Sequence, residues 1–247
     1  MEAQVEQKEN FYPHISVDCV LFSIVDECLS VLLIEQKDVS GESIGYKLPG
    51  SLIYEKESLD QAAQRIIQTT TYLKRLSIRQ FRAFGSPDRT SNPEDVKWLE
   101  RASFLKIGRI VTIAYLALCK PKAYATTTNY QSIHWFEVDK IPSLPFDHNE
   151  IIKEAVKDIR HWVQKEPMVL FDYLPARFTA YQLRRTYEII YDKKLDVRNF
   201  KKKMKMFGYV RSTGEKEKNV AHRAALYYRF DKVKYNQMRS QFSRHRI

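Results

Sequence analysis

The run Leu48-Pro-Gly-Ser-Leu-Ile-Tyr-Glu-Lys-Glu-Ser-Leu-Asp-Gln-Ala-Ala-Gln-Arg-Ile-Ile-Gln-Thr-Thr-Thr-Tyr-Leu73 opens on a Pro-Gly loop and passes into a helix. Ser58 and Gln61 stand at capping-box spacing, where a hydroxyl and an amide satisfy two free N–H groups of a helix start. Behind them Leu59, Ala62, Ala63, Ile66 and Ile67 recur at helical intervals, which predicts a helix from about Ser58 to Tyr72 with one buried face. Working outward, His14–Ser23 and Leu29–Ile34 are apolar and β-branched, and Val25-Asp-Glu-Cys28 between them reads as a hairpin turn. Ser77–Phe84, Arg109–Cys119 and Ile133–Val138 read as further strands. A second helix is expected from Asp147 to about Lys165, with Asp147 and Glu150 as a cap pair and Ile151, Ala155, Ile159 and Trp162 inward. Strands mixed with two helices imply an α+β fold, an α/β/α sandwich.

Charge divides the 247 residues unequally. Residues 168–247 hold 20 Lys+Arg against 7 Asp+Glu, a net of +13, whereas residues 1–167 hold 21 against 23, a net of −2. The whole excess of +11 therefore sits in the last third, an asymmetry that argues for separate jobs and for a polyanion at the basic end. The expected domains are accordingly 1–167 and 168–247. Hydrophobic content of 44% excludes wholesale disorder, and no apolar run is long enough to span a bilayer. Glu2, Glu6 and Glu9 make the first ten residues unlike a signal peptide, and Cys19, Cys28 and Cys119 lack metal-type spacing. Reduced thiols and a cytoplasmic location are expected.

The quoted run resembles the Nudix box, G-x5-E-x7-R-E-U-x-E-E-x-G-U with U a bulky aliphatic. Ser51 falls at the first glycine, Glu57 at the first glutamate and Arg65 at the arginine; Ile66, Thr69 and Thr70 replace the later glutamates, and Tyr72 the last glycine. In Nudix hydrolases those glutamates hold divalent ions that activate water on a diphosphate, and hard cations need several oxygen ligands. One carboxylate among Ile and Thr cannot supply them, so the resemblance implies the Nudix fold without the hydrolase, no metal and no cofactor. Glu57 and Arg65 are expected to survive as a structural ion pair.

Further segments resemble the Nudix-related transcriptional regulators: Phe84-Gly-Ser-Pro-Asp-Arg89, Arg109-Ile-Val-Thr-Ile-Ala-Tyr-Leu-Ala-Leu118 and Leu144-Pro-Phe-Asp-His148. Thr90–Gly108 stands as an insert that reshapes either the pocket or a dimer contact. Helix capping accounts for Asp147, and a structural role for His148. From where Nudix ligands lie relative to the box, Lys47, Arg65 and Arg89 are the candidate effector-binding residues.

From Phe178 the period changes. Thr179 can cap a helix with Ala180, Leu183, Tyr187 and Ile190 inward. After the turn Asp192–Leu195, Asp196 can cap a second helix, Val197 to Phe207, with Val197, Phe200, Met204 and Phe207 inward and Arg198, Asn199, Lys201, Lys202, Lys203 and Lys205 outward. Gly208 suits the left-handed residue after its end. Two such helices, the second basic outside and apolar inside, form a helix-turn-helix. Tyr209–Thr213 and Ala225–Phe230 alternate like strands around the polar loop Gly214–Arg223, and one more helix is expected in the tail from Asp231. This third resembles the winged helix-turn-helix of the same regulators. The resemblance implies double-stranded DNA contact by Arg198, Asn199, Lys201, Lys202, Lys205, Thr213, His222 and Arg223.

The expected function is a ligand-responsive, sequence-specific transcriptional regulator, a repressor, with a catalytically inactive Nudix-like sensor. The resemblance implies a homodimer on a pseudo-palindromic operator, the effector biasing the geometry of its two winged domains. The family senses either ADP-ribose or pentoses such as arabinose. Because the box has lost the metal that would help hold a diphosphate, the sugar is the main expectation. The alternatives are an ADP-ribose-responsive regulator of NAD metabolism and an active Nudix hydrolase of a nucleoside diphosphate derivative.

Overall fold

The computed structural model describes residues 10–38, 40–71, 76–121, 132–221 and 223–244. Glu2, Glu6, Glu9, Tyr72, Leu73 and His222 lie outside them. Two compact units make up the chain: the described parts of Met1–Phe22, Ser30–Ala117 and Lys122–Asp158, and those of Ser23–Leu29, Leu118–Pro121 and Ile159–Ile247.

Among the described residues, seven strands form one sheet: β1 (Phe11–Val25), β2 (Cys28–Lys37), β3 (Ser43–Lys47), β4 (Gly50–Tyr54), β5 (Arg79–Phe84), β6 (Val111–Leu118) and β7 (Ile133–Glu137). The order is β3-β2-β1-β6-β5, with β4 on β1 and β7 on β2. The expected hairpin is present, turned by Asp26 and Glu27 at φ 47° and 62°. Positive φ at both central residues is the type I′ requirement, which matches strand twist. Val17–Ile24 and Leu29–Ile34 are buried without alternation, as in strands covered on both faces. The cover includes α1 (Leu59–Thr71) and α3 (His148–Lys165). Ala62, Ala63, Ile66 and Ile67 of α1 are buried as its periodicity requires, and Ser58 and Gln61 exchange both capping bonds. Arg82 of β5 reaches Glu154 of α3 at 2.6 Å, while Ile151, Ala155 and Ile159 turn inward.

The segment Thr90–Gly108 carries α2 (Pro93–Ser103), capped by the Asn92 side chain with proline at the first turn, and preceded by a short 3-10 turn, Pro87–Thr90. Its Val96 and Leu99 pack on Leu52, Ile107 and Ile110. The insert is thus folded into the core around β4.

In the second unit α4 (Met168–Tyr173), α5 (Ala180–Tyr191) and α6 (Val197–Met206) lead to the strands β9 (Val210–Lys216) and β10 (Leu226–Phe230) and to α7 (Lys232–Arg244). A two-residue strand β8 (Phe178–Thr179) completes a three-stranded antiparallel sheet, β8-β10-β9. Thr179 and Gln182 form the capping box of α5. Asp192, at φ 50°, ends α5, and Asp196 accepts from the Asn199 N–H at 2.8 Å to start α6. Buried Glu188 fixes the turn between them, taking the Leu195 N–H at 2.8 Å and pairing with Arg184 and Arg185. Gly208, at φ 64°, follows α6 as expected. An aromatic core ties the unit together: Phe171 stacks on Phe230 at 4.2 Å, and Tyr235 meets Tyr209 edge-on at 5.2 Å.

Candidate functional sites

Two sites follow from this scaffold, one in each unit. The first is the Nudix-box region. The Arg65 Nε donates to Glu57 Oε2 at 2.9 Å, Arg65 Nη2 donates to the Leu52 carbonyl at 3.1 Å, and the guanidinium lies 4.1 Å from the Tyr54 ring centroid. Glu57 also accepts from the Tyr54 N–H at 2.7 Å. The pair therefore clamps the loop to α1, and Arg65 is held there rather than in the neighbouring cavity. At the positions of the later box glutamates Ile66 is buried, and the Thr69 hydroxyl lies 3.0 Å from the carbonyls of both Arg65 and Ile66. Methyls and a hydroxyl committed to the backbone do not fit a divalent cation, which wants several hard oxygen ligands.

The other two expected effector residues, Lys47 and Arg89, come together on a cavity of about 30 Å³ lined also by Asp18, Gly50, Leu99, Phe146 and His148. Arg89 Nε and Nη2 donate to the Asp147 carboxylate at 2.9–3.2 Å, and Arg89 Nη2 lies 3.7 Å from Asp18. Asp147 stands at the start of α3, its carbonyl taking the Ile151 N–H at 2.9 Å, and its carboxylate also gives Arg89 a charge-assisted bidentate contact. Asp18 accepts from the Thr112 hydroxyl at 2.7 Å, and His148 Nδ1 accepts from the Leu48 N–H at 3.3 Å. His148 is 4% exposed, and burial holds its imidazole below its usual range. Lys47 is 7% exposed, and burial pushes its ammonium down to about 8, against the opposing pull of Asp18. The insert contributes directly: Asp95 accepts from the Phe146 N–H at 2.8 Å and Leu99 lines the cavity. Sequence reasoning missed Asp18 as part of this cluster; a lone acid inside the apolar run Val17–Phe22 was the available signal.

The second site is the outer face of α6. Arg198, Asn199, Lys201, Lys202 and Lys205 are all exposed, as expected of a helix whose Phe200 and Met204 are buried. Val197 departs from expectation: it is 47% exposed, because the apolar face of α6 outruns the core at its first turn. On the wing, Arg223 is exposed, while the Thr213 hydroxyl donates to the Tyr227 carbonyl at 3.2 Å and accepts from the Glu215 N–H at 3.2 Å.

Residues 170–230, the span from α4 through β10, match the NrtR DNA-binding winged helix domain. Over that span the chain is similar to the winged helix of the NrtR regulators. Over 92% of this chain and 86% of the relative, it is 24% identical to the ADPR responsive transcriptional repressor NtrR of Acinetobacter baylyi. Its fold is that of Shewanella oneidensis NrtR solved with a 27mer DNA, with a TM-score of 0.67 and 24% identity over 87% of this chain and 93% of that one. A MutT/nudix family protein from Enterococcus faecalis has the same fold, with a TM-score of 0.64 and 24% identity over 89% and 88%. These folds place an α+β Nudix-like domain before a winged helix, as the sequence predicts. The expected pentose effector, arabinose above all, is not supported, since the family relative is named for its response to ADPR.

Proposed function

We propose that the chain is an ADP-ribose-responsive transcriptional repressor, with residues 1–167 as sensor and 168–247 as DNA reader. The observation that carries this reading is the likeness to the Acinetobacter baylyi ADPR responsive repressor over 92% of the chain, both domains included. Its chemistry supports the same reading. The lost box glutamates had argued against a diphosphate. A sensor that does not turn over its ligand needs no metal, however, and an arginine can hold a diphosphate through paired charge-assisted bonds. Arg89 already makes that geometry with Asp147, so an entering phosphate would replace one anion by another. Lys47 adds a second cation on the same cavity.

On the DNA side, Arg198 and Asn199 are the base-reading candidates, since arginine pairs with guanine and asparagine with adenine edges. Lys201, Lys202, Lys205 and Arg223 suit phosphates. Thr213, whose hydroxyl bonds within the wing, can still accept through its second lone pair at the DNA. A homodimer on a palindromic site, acting in the cytoplasm, completes the proposal.

The test is fluorescence anisotropy of the full chain on the duplex enriched from a random library, with ADP-ribose titrated in. Release of the duplex with a 5–150-fold rise in Kd, the usual size of allosteric coupling at about 1–3 kcal/mol, is the expected result. Arabinose should leave Kd unchanged. An enriched duplex whose Kd ignores millimolar ADP-ribose sinks the effector assignment.

A further inference from the structure

The one large discrepancy on α6 is Val197. Spacing places it with Phe200 and Met204 on the apolar face, yet Phe200 and Met204 are buried and Val197 is 47% exposed. It follows the N-cap Asp196 directly, so its methyl groups stand in the first turn of the helix, beside exposed Arg198 and Asn199 and one turn before exposed Lys201. A β-branched residue is a poor choice for an exposed helical position, where its stiff side chain gains nothing from packing. The basic residues around it name the occupant that would cover it. A helix of this charge faces a polyanion, and the N-terminal turn of a recognition helix is the part that meets base edges in the major groove. The apolar group displayed on that groove floor is the 5-methyl of thymine.

Resting on the reading of α6 as the recognition helix, we infer that Val197 is a specificity-determining residue that packs its methyl groups against a thymine 5-methyl in the operator. Arg198 and Asn199 then supply polar readout at adjacent positions, and Val197 selects thymine over cytosine at its own. The contact is apolar and neutral, so it discriminates among sequences without adding to the salt-dependent attraction that the lysines provide.

The experiment uses the full chain and the duplex enriched from a random 30-base-pair library. Each thymine is replaced in turn by deoxyuridine, which keeps the pairing and removes only the methyl. The wild-type chain should bind one deoxyuridine-substituted duplex about fourfold more weakly, the effect of leaving one methyl group in water. Val197→Ala should bind the all-thymine duplex weaker by a similar factor and lose its response to deoxyuridine at that position. Lys202→Ala should bind every duplex less tightly and keep the deoxyuridine response. If no thymine methyl matters to the wild type, or the same one matters equally in Val197→Ala, the assignment is overturned. A library that enriches no sequence overturns sequence-specific binding itself, and the Val197 contact with it.

Discussion

At Gly50 the backbone runs so close to the buried acid of β1 that a Cβ built there lies 2.0 Å from Asp18 Oδ1. Asp18 and Gly50 are register partners across β1 and β4, and the Asp18 carboxylate is held by the Thr112 hydroxyl at 2.7 Å, so it turns aside only by giving up that bond. Gly50→Ala is expected to cost about 1–3 kcal/mol, the range for forcing an extra methyl into a packed site, read as a lowered denaturation midpoint. A midpoint within error of wild type would show that Asp18 can swing away at no cost. Lys47 calls for the opposite experiment. Its ammonium is buried and pushed down to about 8, so the folded state disfavours the charge that the unfolded chain keeps to about 10.5. Below pH 8 both states carry the proton and the burial penalty is constant; between about 8 and 10.5 the folded state sheds it first, and wild-type stability rises. Lys47→Met should therefore gain up to about 3 kcal/mol at pH 7, the size of that displacement, less whatever Asp18 loses with its partner, and the gain should shrink as the pH climbs through that window. The same variant should respond less to ADP-ribose, a cost in function for a gain in stability. A lower midpoint at pH 7 would show that Lys47 holds the cluster together.

At the scale of elements, α6 rests on its first turn. Asp196→Ala removes the acceptor of the Asn199 N–H, and the expected loss is about 1 kcal/mol in global stability. Operator affinity should fall further than that loss explains, because fraying begins at the residues proposed to read bases. Equal affinity in the variant would separate helix start from recognition. How far such elements were legible varies with how local their signals are. The helices α1, α5 and α6 announce themselves through caps and stripes within a dozen residues, and Thr179-Gln182 and Ser58-Gln61 both form the boxes that their spacing implies. β4 and β8 carry no such signal: they are five and two residues long, and their partners β1 and β10 lie far along the chain. α2 was readable, since Asn92-Pro93 is a helix start, but its segment departs from the family pattern and reads as an insertion before it reads as a helix. The cluster of Asp18, Arg89, Asp147 and His148 was half legible. Arg89 stands in a motif, whereas the partner of Asp147 is settled by a residue 58 positions away. Val197 shows the limit of periodicity: spacing gives the direction of a side chain, and only the extent of the core decides whether anything meets it there.

For the whole molecule, the charge division makes a separable claim about binding. If Lys201, Lys202 and Lys205 meet phosphates, log Kd should rise linearly with log salt, and each lysine removed should lower the slope by about 0.9. The sensor should leave ADP-ribose intact in Mg²⁺ or Mn²⁺, since Ile66, Thr69 and Thr70 offer no carboxylate where the box needs three. Product accumulating in proportion to enzyme would instead make the chain a hydrolase. The strongest test joins both units through thermodynamics and needs no assumption about their arrangement. Coupling between two ligands is reciprocal: whatever factor ADP-ribose takes from operator affinity, the operator must take from ADP-ribose affinity. Isothermal titration of ADP-ribose into free chain and into operator-bound chain should therefore give two Kd values whose ratio equals the shift seen by anisotropy. Arg89→Ala should weaken ADP-ribose binding and leave the operator affinity of the ligand-free chain unchanged, because its partners all lie in the sensor cluster. Lys202→Ala should do the reverse. If both variants move both affinities alike, the two activities share one surface, and the division of the chain into a near-neutral sensor and a basic reader fails.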